Sequence, residues 1–223
     1  DGLAQDVHEG TALASVALML FVILVMENDR RGLFFGKRVP FPKGVGQYAR
    51  RYHGYYFAWA ITYTFWYHPI ETTPGHLMSY FYMMMLFLQG SLLYTRYHVN
   101  RWWTAWLEVF AMIHGTTVAY AAVQQNGTQW SNFLFGGLAV FLITQMHGLR
   151  LKRWHKFAIA GVGLAGAAWY YVLHTDMIAT MPRLIVTRYL AVFITVGLIW
   201  LIMRPFIWSG KGPPIRESGR VST

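Results

Sequence analysis

The residues best equipped for chemistry lie in His68-Pro-Ile-Glu71-Thr-Thr-Pro-Gly-His76. Thr73 can cap a helix, and Pro74 suits its first turn, where no N–H is needed. His76 then sits near the positive end of the helix dipole. That position disfavours imidazolium and keeps the ring in its neutral, metal-ligating form. His174 and Asp176 close a later helix on the same side. Neutral imidazoles with a carboxylate suit copper, iron or zinc. The expected metal ligands are therefore His68, His76, His174 and Asp176, with Glu71 beside them as a catalytic carboxylate. The competing reading is a set of interfacial histidines bonded to loop backbone. The spacing lacks the specificity of His-Glu-x-x-His.

A second group is surrounded by apolar sequence. Glu108 lies seven residues into its helix, with Gln89 and Gln145 at similar depth in neighbouring ones. An ionised carboxylate there costs several kcal/mol unless paired. Arg101, two turns away on the same face with Thr104, is the expected partner; protonation is the alternative. Glu108 is a candidate proton relay or general acid, or else a structural hydrogen bond. His114 is six residues on, roughly 120° round the helix, so it should not act directly with Glu108. It is a candidate cofactor contact. A bis-His haem is disfavoured, because the other histidines lie near helix ends. Arg188 is expected to pair with Glu71 or Asp176, to hold an anionic head group, or to snorkel.

These residues need a scaffold, and composition says which kind. The chain has 223 residues, 55% apolar and 13% charged, with no cysteine. Soluble domains carry roughly 25% charged residues. Disorder is excluded, as are disulfides, thiolate zinc sites, iron–sulfur clusters and a cysteine nucleophile. Seven runs are long enough to cross about 30 Å of hydrocarbon: 10–26, 52–68, 74–95, 102–123, 129–149, 157–173 and 184–203. The expected fold is all-α, a seven-helix membrane bundle forming one domain over 1–204, with a polar tail at 205–223. With seven crossings, 17 of the 19 Lys and Arg residues fall on one side. The positive-inside rule then puts the N-terminus outside and the C-terminus in the cytoplasm. The net charge of +10 accordingly reads as a topology signal, not a nucleic-acid footprint. The first run lacks the basic leader and cleavage site of a signal peptide. Small residues along 160–168 suit close helix contact. The last helix holds no lysine, which excludes a retinal Schiff base.

Residues 10–145 partly resemble the C subunit of copper membrane monooxygenases, the methane and ammonia monooxygenase group. The similar elements are Asn28-Asp29-Arg30-Arg31 after an early helix, Arg50-Arg51 before an aromatic one, and Thr73-Pro74-Gly75-His76 opening the third, closed by Thr95-Arg96. The resemblance implies copper held by His68 and His76, oxidoreductase activity and a multisubunit complex. Thr64 stands where that family has an Asp, and its second ligand set has no counterpart.

Three functions follow as expectations. The first is a membrane-embedded, metal-dependent oxidoreductase or related enzyme acting on a small lipophilic substrate. The second is a non-catalytic heptahelical subunit or transporter. The third is an intramembrane cyclase or isomerase using Glu108. The expected partners are the lipid bilayer and other membrane subunits or further copies of the chain.

Overall fold

A computed structural model describes residues 9–65, 74–126 and 130–208. Within these the chain is all-helical. The α-helices are α1 (Glu9–Arg31), α2 (Val45–Phe65), α3 (Pro74–Ser91), α4 (Arg101–Asn126), α5 (Trp130–Ile143), α6 (Arg153–Leu173) and α7 (Thr180–Trp208). Short 3-10 turns follow α5 (Gln145–Leu149) and α6 (Thr175–Met177).

The helix ends depart from the sequence reading in ways that matter. α1 does not stop at Met26 but continues through Glu27–Arg31. Arg30 and Arg31 in its last turn complement the helix dipole. It ends at Gly32, whose φ of 75° lets its N–H reach Asn28 O at 3.0 Å, a left-handed cap. α2 begins at Val45, so Arg50 and Arg51 are helical rather than loop residues. α5 is only 14 residues long. Its end is secured from far upstream: Phe35 N–H donates to Ile143 O at 2.8 Å. Beside it, the Thr144 hydroxyl donates to Leu33 O at 2.5 Å and accepts from Tyr189 OH at 2.7 Å. Polar groups left over where α5 breaks are thus satisfied inside the protein.

α1 packs on α2 and α7, α4 on α3 and α5, and α5 on α7. The main core joins Leu24, Val25, Leu33, Val45, Val192 and Val196. The 32–44 connection is folded under the helices. Asn28, 2% exposed, pins it by donating to Val39 O at 2.8 Å and accepting from Val39 N at 3.0 Å. Met19, Ala60, Ile61 and Met83 join α1, α2 and α3. Tyr82, Met85, Leu107 and Phe110 join α3 to α4.

α6 packs against α5 through Ala167 and Tyr171. Its small residues do not all serve close contact: Gly163 faces Leu138 and Leu142, whereas Gly161 and Gly166 face open space. Val162 and Trp169 are 77% and 72% exposed. Among the described residues, two helical segments, Arg153–Leu173 and Pro182–Pro205, are long and apolar enough by length and composition to cross a membrane.

Candidate functional site

The most developed polar constellation sits where α1 ends and α2 and α4 begin. Arg31 and Glu108 form a two-pronged ion pair, Nη1 to Oε2 and Nη2 to Oε1, each 2.8 Å. Both carboxylate oxygens accept, which is the ionised, fork-matched arrangement. The side chains are 2% and 5% exposed. Burial works against the charge on Arg31, but the Glu108 carboxylate outweighs it and keeps the guanidinium above its ordinary pKa. The turn after α5 closes over the pair: a methyl on Gly148 would lie 3.3 Å from Arg31 Cβ. Nε of Arg31 is buried without a partner among the described residues.

Glu108 forms part of the wall of a cavity of about 1680 Å³ between α1, α2, α3 and α4. Val16, Met19, Leu20, Phe57 and Ile61 line its inner part, and Arg30, Arg38, Lys43 and Arg50 its rim. From Arg30 to Val16 the cavity follows α1 for about 20 Å, at ~1.5 Å per residue. The rim charges are unevenly matched. Arg30 pairs with Glu27. Arg50 donates to Asp29 Oδ2 and Met26 O, both at 2.7 Å. Arg38 and Lys43 have no ion-pair partner among the described residues.

Two imidazoles also line the cavity. His53 Nδ1 lies 2.6 Å from Arg50 O, and His98 Nδ1 lies 3.0 Å from Gln89 O. Their ring centres are 5.9 Å apart. Gln89 grips the His98 turn a second time, its Nε2 donating to His98 O at 3.0 Å while its Oε1 accepts from Trp103 Nε1 at 2.6 Å.

The residues singled out from sequence fare differently. Glu108 is paired, but with Arg31. Arg101 lies instead against the Trp102 ring, 5.8 Å from its centre. His114 Nε2 is 2.7 Å from the Ser79 hydroxyl, and its ring lies 5.4 Å from that of Tyr82. That is a polar contact between α3 and α4. Arg188 donates to Asn132 O at 3.3 Å and lies against Gly136, where a Cβ would come within 2.5 Å of it. Gly136 is what makes room for it. His174 donates from Nδ1 to Tyr170 O at 2.9 Å and stacks on the Tyr170 ring at 4.2 Å. His68 and Glu71 lie outside the described residues, as do the side chains of His76 and Asp176. Their convergence with His174 is therefore not described. Among the described residues no three His, Asp or Glu side chains gather as a metal cluster.

Sequence reasoning missed Arg31, His53 and His98. Arg31 sits in a charged run that reads as solvated. Nothing in the spacing of His53 and His98 brings them together, because the 92–100 turn does so. Compared with protein-family models, curated proteins and solved structures, the chain matches none.

Proposed function

We propose that this is a multi-pass membrane protein, crossing seven times with its basic rim in the cytoplasm, that binds a lipophilic molecule with an anionic head in the α1–α4 cavity and acts on it there. The observation that carries this is the cavity's division: an apolar slot that runs about 20 Å along α1, and a rim where Arg38 and Lys43 have no ion-pair partner among the described residues. A long hydrocarbon or isoprenoid chain fits the slot, and a carboxylate or phosphate fits the rim. Broad exposed apolar faces support a lipid setting: Leu77 and Phe81 on α3 are 71% and 54% exposed, and Val186 on α7 is 63% exposed. Faces of this kind mark contact with lipid or partners. His53, His98 and the Arg31–Glu108 pair supply the polar groups that chemistry on the bound molecule would use.

The test compares three probes of equal chain length, an acid, an alcohol and an amine, against purified protein in nanodiscs. The acid should bind saturably and about tenfold more tightly than the alcohol, a difference of ~1.4 kcal/mol. Replacing Arg38 and Lys43 together by Ala should erase that preference while leaving alcohol binding unchanged. Equal affinity for all three probes, or no saturable binding, would defeat the proposal.

The crossing number has its own check. Because the chain has no cysteine, a single Cys introduced near either end gives an unambiguous labelling signal. The two ends should react from opposite compartments. Reaction of both from one compartment rules out seven crossings.

A further inference from the structure

We infer that His53 and His98 are a metal-binding pair that holds one transition ion, copper(I) before zinc, through their Nε2 atoms inside the α1–α4 cavity. The tautomer follows from the partners. A backbone carbonyl can only accept, so Nδ1 of each neutral ring, facing Arg50 O and Gln89 O, carries the proton. Nε2 of each is left with its lone pair. This is how ligating histidines are usually held, the second nitrogen fixed by a carbonyl or carboxylate that sets tautomer and orientation. The rings are placed from separate elements, His53 on α2 and His98 on the 92–100 turn, yet both line one cavity.

The spacing suits a shared ion. Two imidazoles bound at ~2.0–2.1 Å to one metal place their ring centres roughly 5 Å apart at a tetrahedral angle and about 6.3 Å apart at a linear one, and the separation here, 5.9 Å, falls between the two, nearer the linear arrangement of a two-coordinate ion. Copper(I) is favoured over zinc by donor number. Zinc takes three or four protein ligands, and among the described residues no third His, Asp or Glu completes a cluster here. A cation is not barred by the nearest arginine, since Arg50 turns its guanidinium to Asp29 and Met26 O. The inference deepens the cavity reading: it rests on that cavity being the functional site, and it would supply the reactive centre.

The experiment titrates copper(I) and, separately, zinc into the purified full chain in nanodiscs, against a chromophoric chelator. One copper(I) should bind per chain, and His53→Ala or His98→Ala should each weaken it at least tenfold. Gln89→Ala, which loosens the His98 turn without removing a ligand, should weaken it less. His147→Ala should leave it unchanged. X-ray absorption on the loaded wild-type chain provides a reading free of variant folding, and two imidazole scatterers are expected. Failure to bind one equivalent of either metal, affinity insensitive to both His variants, or a sulfur-dominated copper shell would each overturn the inference. Tighter zinc than copper(I) binding would overturn the metal preference. A chain that binds the acidic probe but no metal fails this inference alone. A chain that loads copper on the pair but ignores the probe fails only the amphiphile reading.

Discussion

Glu108→Ala should destabilise the protein by about 3–5 kcal/mol, the usual cost of removing one partner from a buried ion pair. The size follows from what stays behind. Arg31 is 2% exposed at its side chain and has no carboxylate other than Glu108 within ion-pair distance among the described residues. Its Nε is already without a partner there. Losing Glu108 would leave the whole guanidinium charged and unsolvated. Arg31→Met should cost less, because the carboxylate it leaves behind borders the cavity and can be solvated there. The double variant Arg31→Met, Glu108→Leu should recover most of the loss, since apolar replacements of a whole buried pair are often neutral. Thermal unfolding in one detergent measures all three. A cost below about 1 kcal/mol for Glu108→Ala, typical of an exposed pair, would mean that the pair is open to water. The double variant also separates support from ligand binding: if it folds but no longer binds the acidic probe, the pair does more than hold α1 to α4.

Gly32→Ala should be nearly as damaging, at roughly 2–5 kcal/mol, combining left-handed strain with overpacking. At φ 75° any L side chain is strained. A Cβ there would also lie 2.5 Å from Gly36 C and 2.6 Å from Lys37 N. Those atoms are backbone, so no rotamer change relieves the clash. Gly36→Ala is the internal comparison. It has a similar φ of 81°, but its nearest neighbour is His147 Nδ1 at 3.5 Å. It should cost only the conformational part, about 1 kcal/mol. Equal losses for the two variants would show that the tight 32–37 turn is not held as described. The same melting assay reads both.

The helices themselves were legible because apolar runs and their interruptions are local properties. Even so, the ends were misjudged wherever charge was equated with loop. Glu27–Arg31 is helical because its last two residues suit a helix C-terminus, Glu27 pairs within the helix with Arg30, and Asn28 and Asp29 find partners in the 32–44 connection and on α2. Arg50 and Arg51 are helical for a similar reason, since Arg50 reaches back to α1. α5 is shorter than its apolar run predicts, because hydropathy does not register the break at Thr144. That break is made tolerable by Leu33, Phe35 and Tyr189, all remote in sequence. The same non-locality limited the reading of the site. Glu108 stood out as an acid amid apolar residues, and the need for a partner was clear. Its distance in sequence from Arg31 hid which arginine would supply it. Arg101 was nearer in sequence but lies against Trp102. His53 and His98 carry no spacing signal, because a turn fixed by Gln89 sets their separation.

The way α5 ends bears on the order in which the protein can be made. Its last carbonyl is closed by Phe35, and Thr144 by Leu33 and Tyr189. These partners emerge from the ribosome at widely separated times. Folding of a long chain proceeds from its N-terminal part during synthesis, so α1 and the 32–44 connection exist well before α4, α5 or α7. Until Glu108 arrives, Arg31 has no counter-charge. Until Tyr189 arrives, the Thr144 node is incomplete. The polar seam therefore closes only when nearly the whole polypeptide has been delivered.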